Sequence, residues 1–236
     1  MKQDFKIHGL SKLGKFLHQF LEKPTEDYAQ DETELLALMK KSELENPWFT
    51  QENQRFCFKN WADVLKEENI KNWVSSYKIS HFSKKVGLIL AGNIPLVGFH
   101  DVICVILSNH IPIIKLSSKD KLILPFLLNK WGEFSEWNLE YQMVEKLTEY
   151  DAIIATGSNN TSRYLEYYFK DSLSIIRKNR TSVAVIKGDE TDEELQLLAE
   201  DIFRYFGLGC RNVTRLLIPK DFELSRLFEN FIHFKD

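Results

Sequence analysis

The stretch Phe206-Gly207-Leu208-Gly209-Cys210-Arg211-Asn212 sets a thiol just after two glycines and beside an arginine. A cysteine attacks as its thiolate, and a nearby cation favours that form. Glycines on the approach let the backbone bend and leave the sulfur accessible. The same residues also suit a small buried cysteine between a helix and a strand, and the local sequence leaves both readings open. Gly92-Asn93-Ile94-Pro95 offers a second kind of chemistry. A side-chain amide at a strand end caps a helix or donates to an oxyanion. A third stretch, Ala155-Thr156-Gly157-Ser158-Asn159, joins a short apolar run to a helical one. Small residues there can present backbone N–H groups to a phosphate. It is not the GxGxxG dinucleotide fingerprint, and a plain turn with Ser162 as the helix N-cap is the simpler reading.

These residues depend on the run Val86–Ser118, VGLILAGNIPLVGFHDVICVILSNHIPIIKLSS. Val86–Leu90 and Ile111–Lys115 are continuously apolar and β-prone, as strands buried on both faces must be. Leu96–Leu107 between them suits a crossover helix, with Pro95 in its first turn. The unit has the size of one βαβ crossover. Ligands of such folds bind outside the carboxyl ends of the strands, where Asn93, Lys115 and Ser117 stand. Further along, Lys121–Phe134, Ser162–Phe169 and Asp192–Phe206 read as helices. Leu139–Val144, Ala152–Ala155, Ser182–Ile186 and Val213–Ile218 read as strands. The alternation predicts an α/β fold with one largely parallel, Rossmann-type sheet and helices on both faces. Ser182–Ile186 is expected to lie in that sheet.

Before Val86 the chain is polar, aromatic-rich and helical in pattern. Leu10, Leu13, Phe16, Leu17 and Phe20 recur at helical spacing until Pro24. Asp31–Lys41 and Thr50–Asn69 follow as helices. Cys57 here reads as a packing or surface residue rather than a ligand, and Cys104 as a small buried hydrophobe.

The net charge of −3 over 236 residues provides no basic footprint for nucleic acid. The cluster Arg177, Lys178 and Arg180 reads as a solvated face. The start, MKQDFKIHGLSKLG, lacks the apolar core of a signal peptide. No apolar run is long enough to span a bilayer. Three widely spaced cysteines form neither a metal-type pair nor a disulfide framework, so no metal is expected and a reducing cytoplasm is the simplest setting.

Taken in order, these pieces resemble the aldehyde dehydrogenase superfamily, and within it the acyl-CoA reductase family of bacterial bioluminescence. The similarity runs from about Phe82 to Lys220. GLILAGNIPLVGFHDVICVILSNHIPIIKLSSKDKLILPFLL looks like that family's cofactor block, and SVAVIKGDETDEELQLLAEDIFRYFGLGCRNVTRLLIP like its nucleophile block. The resemblance implies a helical lead-in over 1–81, an NADP-binding domain over 82–205 and the start of a catalytic domain over 206–236. It implies that Cys210 is the nucleophile and that Asn93 donates to the thioester oxyanion. Lys115 matches a lysine that contacts the adenosine ribose, with Ser117 and Ser118 following in the same turn. Thr156-Gly157-Ser158 matches a turn beside the pyrophosphate.

Two departures refine that expectation. Aldehyde dehydrogenases usually carry a ribose-binding glutamate where this chain has Ser118. A small neutral residue there leaves room for a 2′-phosphate and removes a repelling charge, which favours NADPH. The glutamate with which hydrolytic members activate water has no counterpart around Arg177–Ser182. Water attack on an acyl-cysteine should then be slow. The implied function is NADPH-dependent reduction of an acyl-CoA or acyl-protein thioester to an aldehyde, by an enzyme whose full-length form is expected to make homo-oligomers. The superfamily's catalytic domain continues well beyond its cysteine, so the chain is also expected to be either a fragment of a longer chain or a truncated copy. A nucleotide-binding fragment without a competent active site is the alternative reading. An oxidising aldehyde dehydrogenase is a third, disfavoured by the missing glutamate.

Overall fold

The computed structural model describes residues 2–234. The chain divides into two compact units, Met1–Lys178 and Asn179–Asp236.

The first unit opens with helices. α1 (Lys2–Glu22) buries Ile7, Leu10, Leu13, Leu17 and Phe20, the periodic stripe expected of it. It packs on α3 (Gln51–Val64) and on α6 (Ile123–Ser135), where buried Trp131 donates its indole N–H to the Lys6 carbonyl at 2.8 Å. α2 (Gln30–Glu45) also packs against α3 and α6. The helix expected over Thr50–Asn69 is two helices. Leu65 and Lys66 leave helical geometry (Lys66 ψ 138°), and α4 (Glu67–Ser75) starts anew.

Five strands form the sheet: β1 (Lys85–Ile89), β2 (Ile111–Lys115), β3 (Gln142–Met143), β4 (Ala152–Thr156) and β5 (Leu173–Arg177). Their order is β3-β2-β1-β4-β5, and every pairing is parallel. β1 and β2 bury their three middle residues, which explains their unbroken apolar sequence. α5 (Phe99–Leu107) and α6 serve as crossovers, and α7 (Asn159–Tyr168) links β4 to β5. α5 begins three residues later than expected. Leu96 has φ +55°, a left-handed conformation no helix continues through, so Pro95 belongs to a turn.

Ser182–Ile186 does not join this sheet. β6 (Ser182–Val185) pairs in parallel with β7 (Val213–Leu217) as a separate two-stranded sheet in the second unit. The place beside β4 is taken by β5, whose exposed Leu173 and Ile175 mark it as an edge. α8 (Asp192–Phe203) crosses from β6 to β7 and starts with a capping box, in which Thr191 Oγ1 accepts the Glu194 N–H and Glu194 Oε2 accepts the Thr191 N–H. Ile186, Leu195 and Leu227 form this unit's small core, the last from α9 (Ser225–Phe231).

Candidate active site

The parallel register brings three turns to one edge of the first unit's sheet. Ile89 is level with Lys115 on one side and with Ala155 on the other. The turns after β1, β2 and β4 therefore emerge side by side, at the carboxyl ends where open α/β sheets bind ligands.

The turn after β1 carries Gly92 and half-buried Asn93. A Cβ on Gly92 would lie 2.4 Å from Ser117 Oγ, so only glycine lets the first and second turns touch. The Cys57 thiol donates to the Pro95 carbonyl at 3.3 Å, and Asp120 Oδ2 accepts the Leu96 N–H at 2.8 Å. Cys57 is buried, as a packing residue should be, and its thiol also holds this turn.

The second turn begins at Lys115, the last residue of β2, whose carbonyl accepts the Leu90 N–H. Ser117 Oγ accepts the Lys119 N–H at 3.3 Å, and Ser118 is exposed. Asp120 closes the turn. Burial pushes its carboxyl up to about 7 against the pull of the Leu96 N–H.

In the third turn Thr156 ends β4 and Gly157 donates its N–H to the Arg177 carbonyl at 3.1 Å. Ser158, not Ser162, caps α7: its Oγ accepts the Thr161 N–H at 3.3 Å. Ser162 is buried one turn later and donates to the Asn159 carbonyl. A capped helix start directs its first N–H groups toward the same sheet edge.

A charged cluster stands beside these turns. Arg177, at the end of β5, donates to the buried Asp101 carboxylate at 2.5 Å, so it is no member of a free solvated face. Burial would raise Asp101, but His100 and Arg177 outweigh it and hold the carboxyl below the usual range. The Asp101 carboxylate, 3.9 Å from the His100 ring, and then Cys104 push His100 up to about 9. Cys104 is half-exposed with its sulfur 3.6 Å from His100 Nδ1, contrary to the buried role expected of it.

Cys210 stands in the second unit and is exposed. The chain reaches it through three residues in the left-handed region, Tyr205 (φ +56°), Phe206 (φ +57°) and Gly207 (φ +68°). Buried Asn212 then fixes the turn. Its Oδ1 accepts the Gly209 N–H at 2.8 Å, and its amide N–H groups donate to the carbonyls of Asp201, Ile202 and Arg204. Sequence reading assigns no role to Asn212, Asp120 or Asp101. Each acts on groups distant in sequence or on backbone, which residue patterns do not reveal.

Among the described residues no group of side chains is arranged to hold a metal ion, and no helix is long and apolar enough to cross a membrane.

Solved structures that superpose on this chain include aldehyde dehydrogenases. The NAD-dependent aldehyde dehydrogenase of Sinorhizobium meliloti superposes with a TM-score of 0.68 at 14% identity, over 99% of this chain and 49% of that one. The aldehyde dehydrogenase KauB of Pseudomonas aeruginosa gives 0.67 at 12% identity, over 98% and 50%. The NAD⁺ complex of a Bacillus cereus aldehyde dehydrogenase gives 0.65 at 14% identity, over 99% and 50%. At such identities the likeness establishes the fold, and the chain spans about half the length of these proteins. No curated protein matches the sequence. A protein-family model described as Acyl-CoA reductase (LuxC) matches residues 18–225. With most of its length matched by that model, the chain belongs to the acyl-CoA reductase (LuxC) family.

Proposed function

We propose that the protein works in NADPH-dependent reduction of acyl thioesters to aldehydes, through an acyl-enzyme on Cys210. The observation that carries this reading is the family match spanning both the turns at the sheet edge and the Cys210 turn. In this reading 1–81 is a helical lead-in, 82–205 carries the cofactor and 206–236 begins the catalytic domain.

The sheet edge suits a dinucleotide. Gly92 opens close approach between two turns, and the α7 N-terminus offers N–H groups to a pyrophosphate. Lys115 and Ser117 would hold the adenosine ribose, and Thr156, Gly157 and Ser158 the pyrophosphate. Ser118, exposed and neutral, leaves space for a 2′-phosphate, which supports NADPH. Three of the similar solved structures are NAD⁺ complexes, which supports a nicotinamide cofactor of one kind or the other.

Cys210 attacks the acyl carbonyl as its thiolate, forming the C–S bond as coenzyme A or a carrier thiol leaves with the electron pair of the bond that breaks. Asn93 and the Cys210 backbone N–H stabilise the tetrahedral oxyanion. When bound, the nicotinamide supplies the hydride that takes the acyl-cysteine to the aldehyde level. Around Arg177–Ser182 the chain carries no glutamate to activate water, so the acyl-cysteine persists until it is reduced. A reducing cytoplasm suits the free thiol, and homo-oligomers are expected of the full-length enzyme.

Incubating the protein with a fatty acyl-CoA and NADPH, and measuring aldehyde, tests the reading. Aldehyde formed in proportion to NADPH consumed is the expected result. Tight nucleotide binding without turnover would instead identify a non-catalytic binding fragment.

A further inference from the structure

One buried carboxyl group joins the turn that carries Asn93 to the turn that carries Ser117. Asp120 is only 7% exposed. Its Oδ2 accepts the Leu96 N–H at 2.8 Å, three residues after Asn93. Its backbone N–H donates to the Ser117 carbonyl at 3.2 Å, and the two residues form an isolated antiparallel bridge. Ser117 in turn lies against Gly92, where an added Cβ would come within 2.4 Å of its hydroxyl.

The residue it holds is in an unfavourable conformation. Leu96 sits at φ +55° with a buried side chain. A bulky residue keeps left-handed geometry only where its surroundings over-determine it. Asp120 supplies that constraint on the N–H side of Leu96, and Cys57 on the preceding carbonyl.

As a device for stability alone, Asp120 is a poor choice. Its other oxygen, Oδ1, is buried without a hydrogen-bond partner. An unmatched buried oxygen costs free energy that an apolar side chain of similar volume would not. A polar group retained at such cost, next to strained backbone in a ligand-bearing turn, is the pattern of a group that positions a site.

We propose that Asp120 is a positioning residue: by gripping the Leu96 N–H it fixes the Gly92–Leu96 turn, and with it the Asn93 amide, in the orientation an acyl-thioester oxyanion needs. The inference rests on the role given to Asn93 above. The raised carboxyl agrees with it, because an acid pushed up to about 7 is only partly ionised near neutral pH and keeps the hydrogen bond without setting a full negative charge beside a crevice for phosphates.

Two readings of the same variants test this: amide hydrogen exchange at Leu96, followed by NMR, and steady-state acyl-CoA reduction. In wild type the Leu96 amide should be protected. Asp120→Ala and the volume-filling Asp120→Leu should speed its exchange at least ~10-fold, with α1 and α3 unchanged, and Asp120→Leu serves if the alanine variant does not fold. The same variants should lower kcat by ~10-fold or more while KM for NADPH moves less than about twofold. Asp120→Asn keeps an acceptor and should restore both readings. An unprotected Leu96 amide in wild type, or protection unaltered in Asp120→Ala and Asp120→Leu, would overturn the inference. So would faster exchange with undiminished kcat. A wild-type protein whose exchange responds as stated but which forms no aldehyde overturns the reductase reading and leaves Asp120 as the holder of the turn.

Discussion

Asn212 accepts the Gly209 N–H through its side-chain oxygen at 2.8 Å, one residue before Cys210. The same buried amide donates to the carbonyls of Asp201, Ile202 and Arg204 at the end of α8. One side chain thus ties the candidate nucleophile's turn to the helix that precedes it. Asn212→Ala leaves these groups unmatched in a buried setting. It should cost the second unit about 1–3 kcal/mol, read as a lowered denaturant midpoint. An unchanged midpoint would show that solvent replaces the amide without loss.

The proposed preference for NADPH rests on Ser118. A glutamate there would set a negative charge where a 2′-phosphate is expected. Ser118→Glu should weaken NADPH more than NADH, measured by titrating both nucleotides against both proteins. Equal losses, or a gain for NADPH, would contradict the assignment.

Asn93 stands in a turn already held by Cys57 and Asp120, so the turn does not depend on its amide alone. Asn93→Ala should lower kcat by about 10²–10³, the usual cost of one oxyanion donor, with little change in thermal unfolding. Loss of folding would mark Asn93 as a structural cap.

The fold is legible in the sequence where burial imposes a pattern. β1 and β2 are covered on both faces, so their sequences are unbroken apolar runs. β5 leaves no such mark because it is an exposed edge strand flanked by charged residues. β6 reads correctly as a strand but pairs in a different sheet from the one expected, because local apolarity does not state which neighbour a strand takes. The break at Leu65 and Lys66 carries no glycine or proline to mark it. In the site, Asn93, Lys115 and the Thr156–Ser158 turn are visible as strand-end polar residues. Asp120 and Asn212 are not, because their roles lie in bonds to backbone groups that only folding brings near.

The His100–Asp101 pair gives a pH-dependent prediction. His100 is held charged up to about 9, from an ordinary 6.5, mainly by the Asp101 carboxylate. A raised histidine stabilises the fold fully below pH 6.5, and the contribution is lost as pH rises through about 9. Asp101→Asn should bring the His100 titration back toward 6.5, followed by NMR of the imidazole ring protons. A midpoint that stays near 9 would place the cause elsewhere.

The central claim is that Cys210, rather than Cys57 or Cys104, accepts the acyl group. Cys210 is exposed, Cys57 is buried and bonded to the Pro95 carbonyl, and Cys104 is half-exposed beside His100. The direct measurement is labelling with radiolabelled acyl-CoA in the absence of NADPH. Wild type, Cys57→Ser and Cys104→Ser should each take up label as a thioester, and NADPH should release it as aldehyde. Cys210→Ser should take up none and form no aldehyde. Full reductase activity in Cys210→Ser, or label retained on it at the wild-type level, would contradict the account.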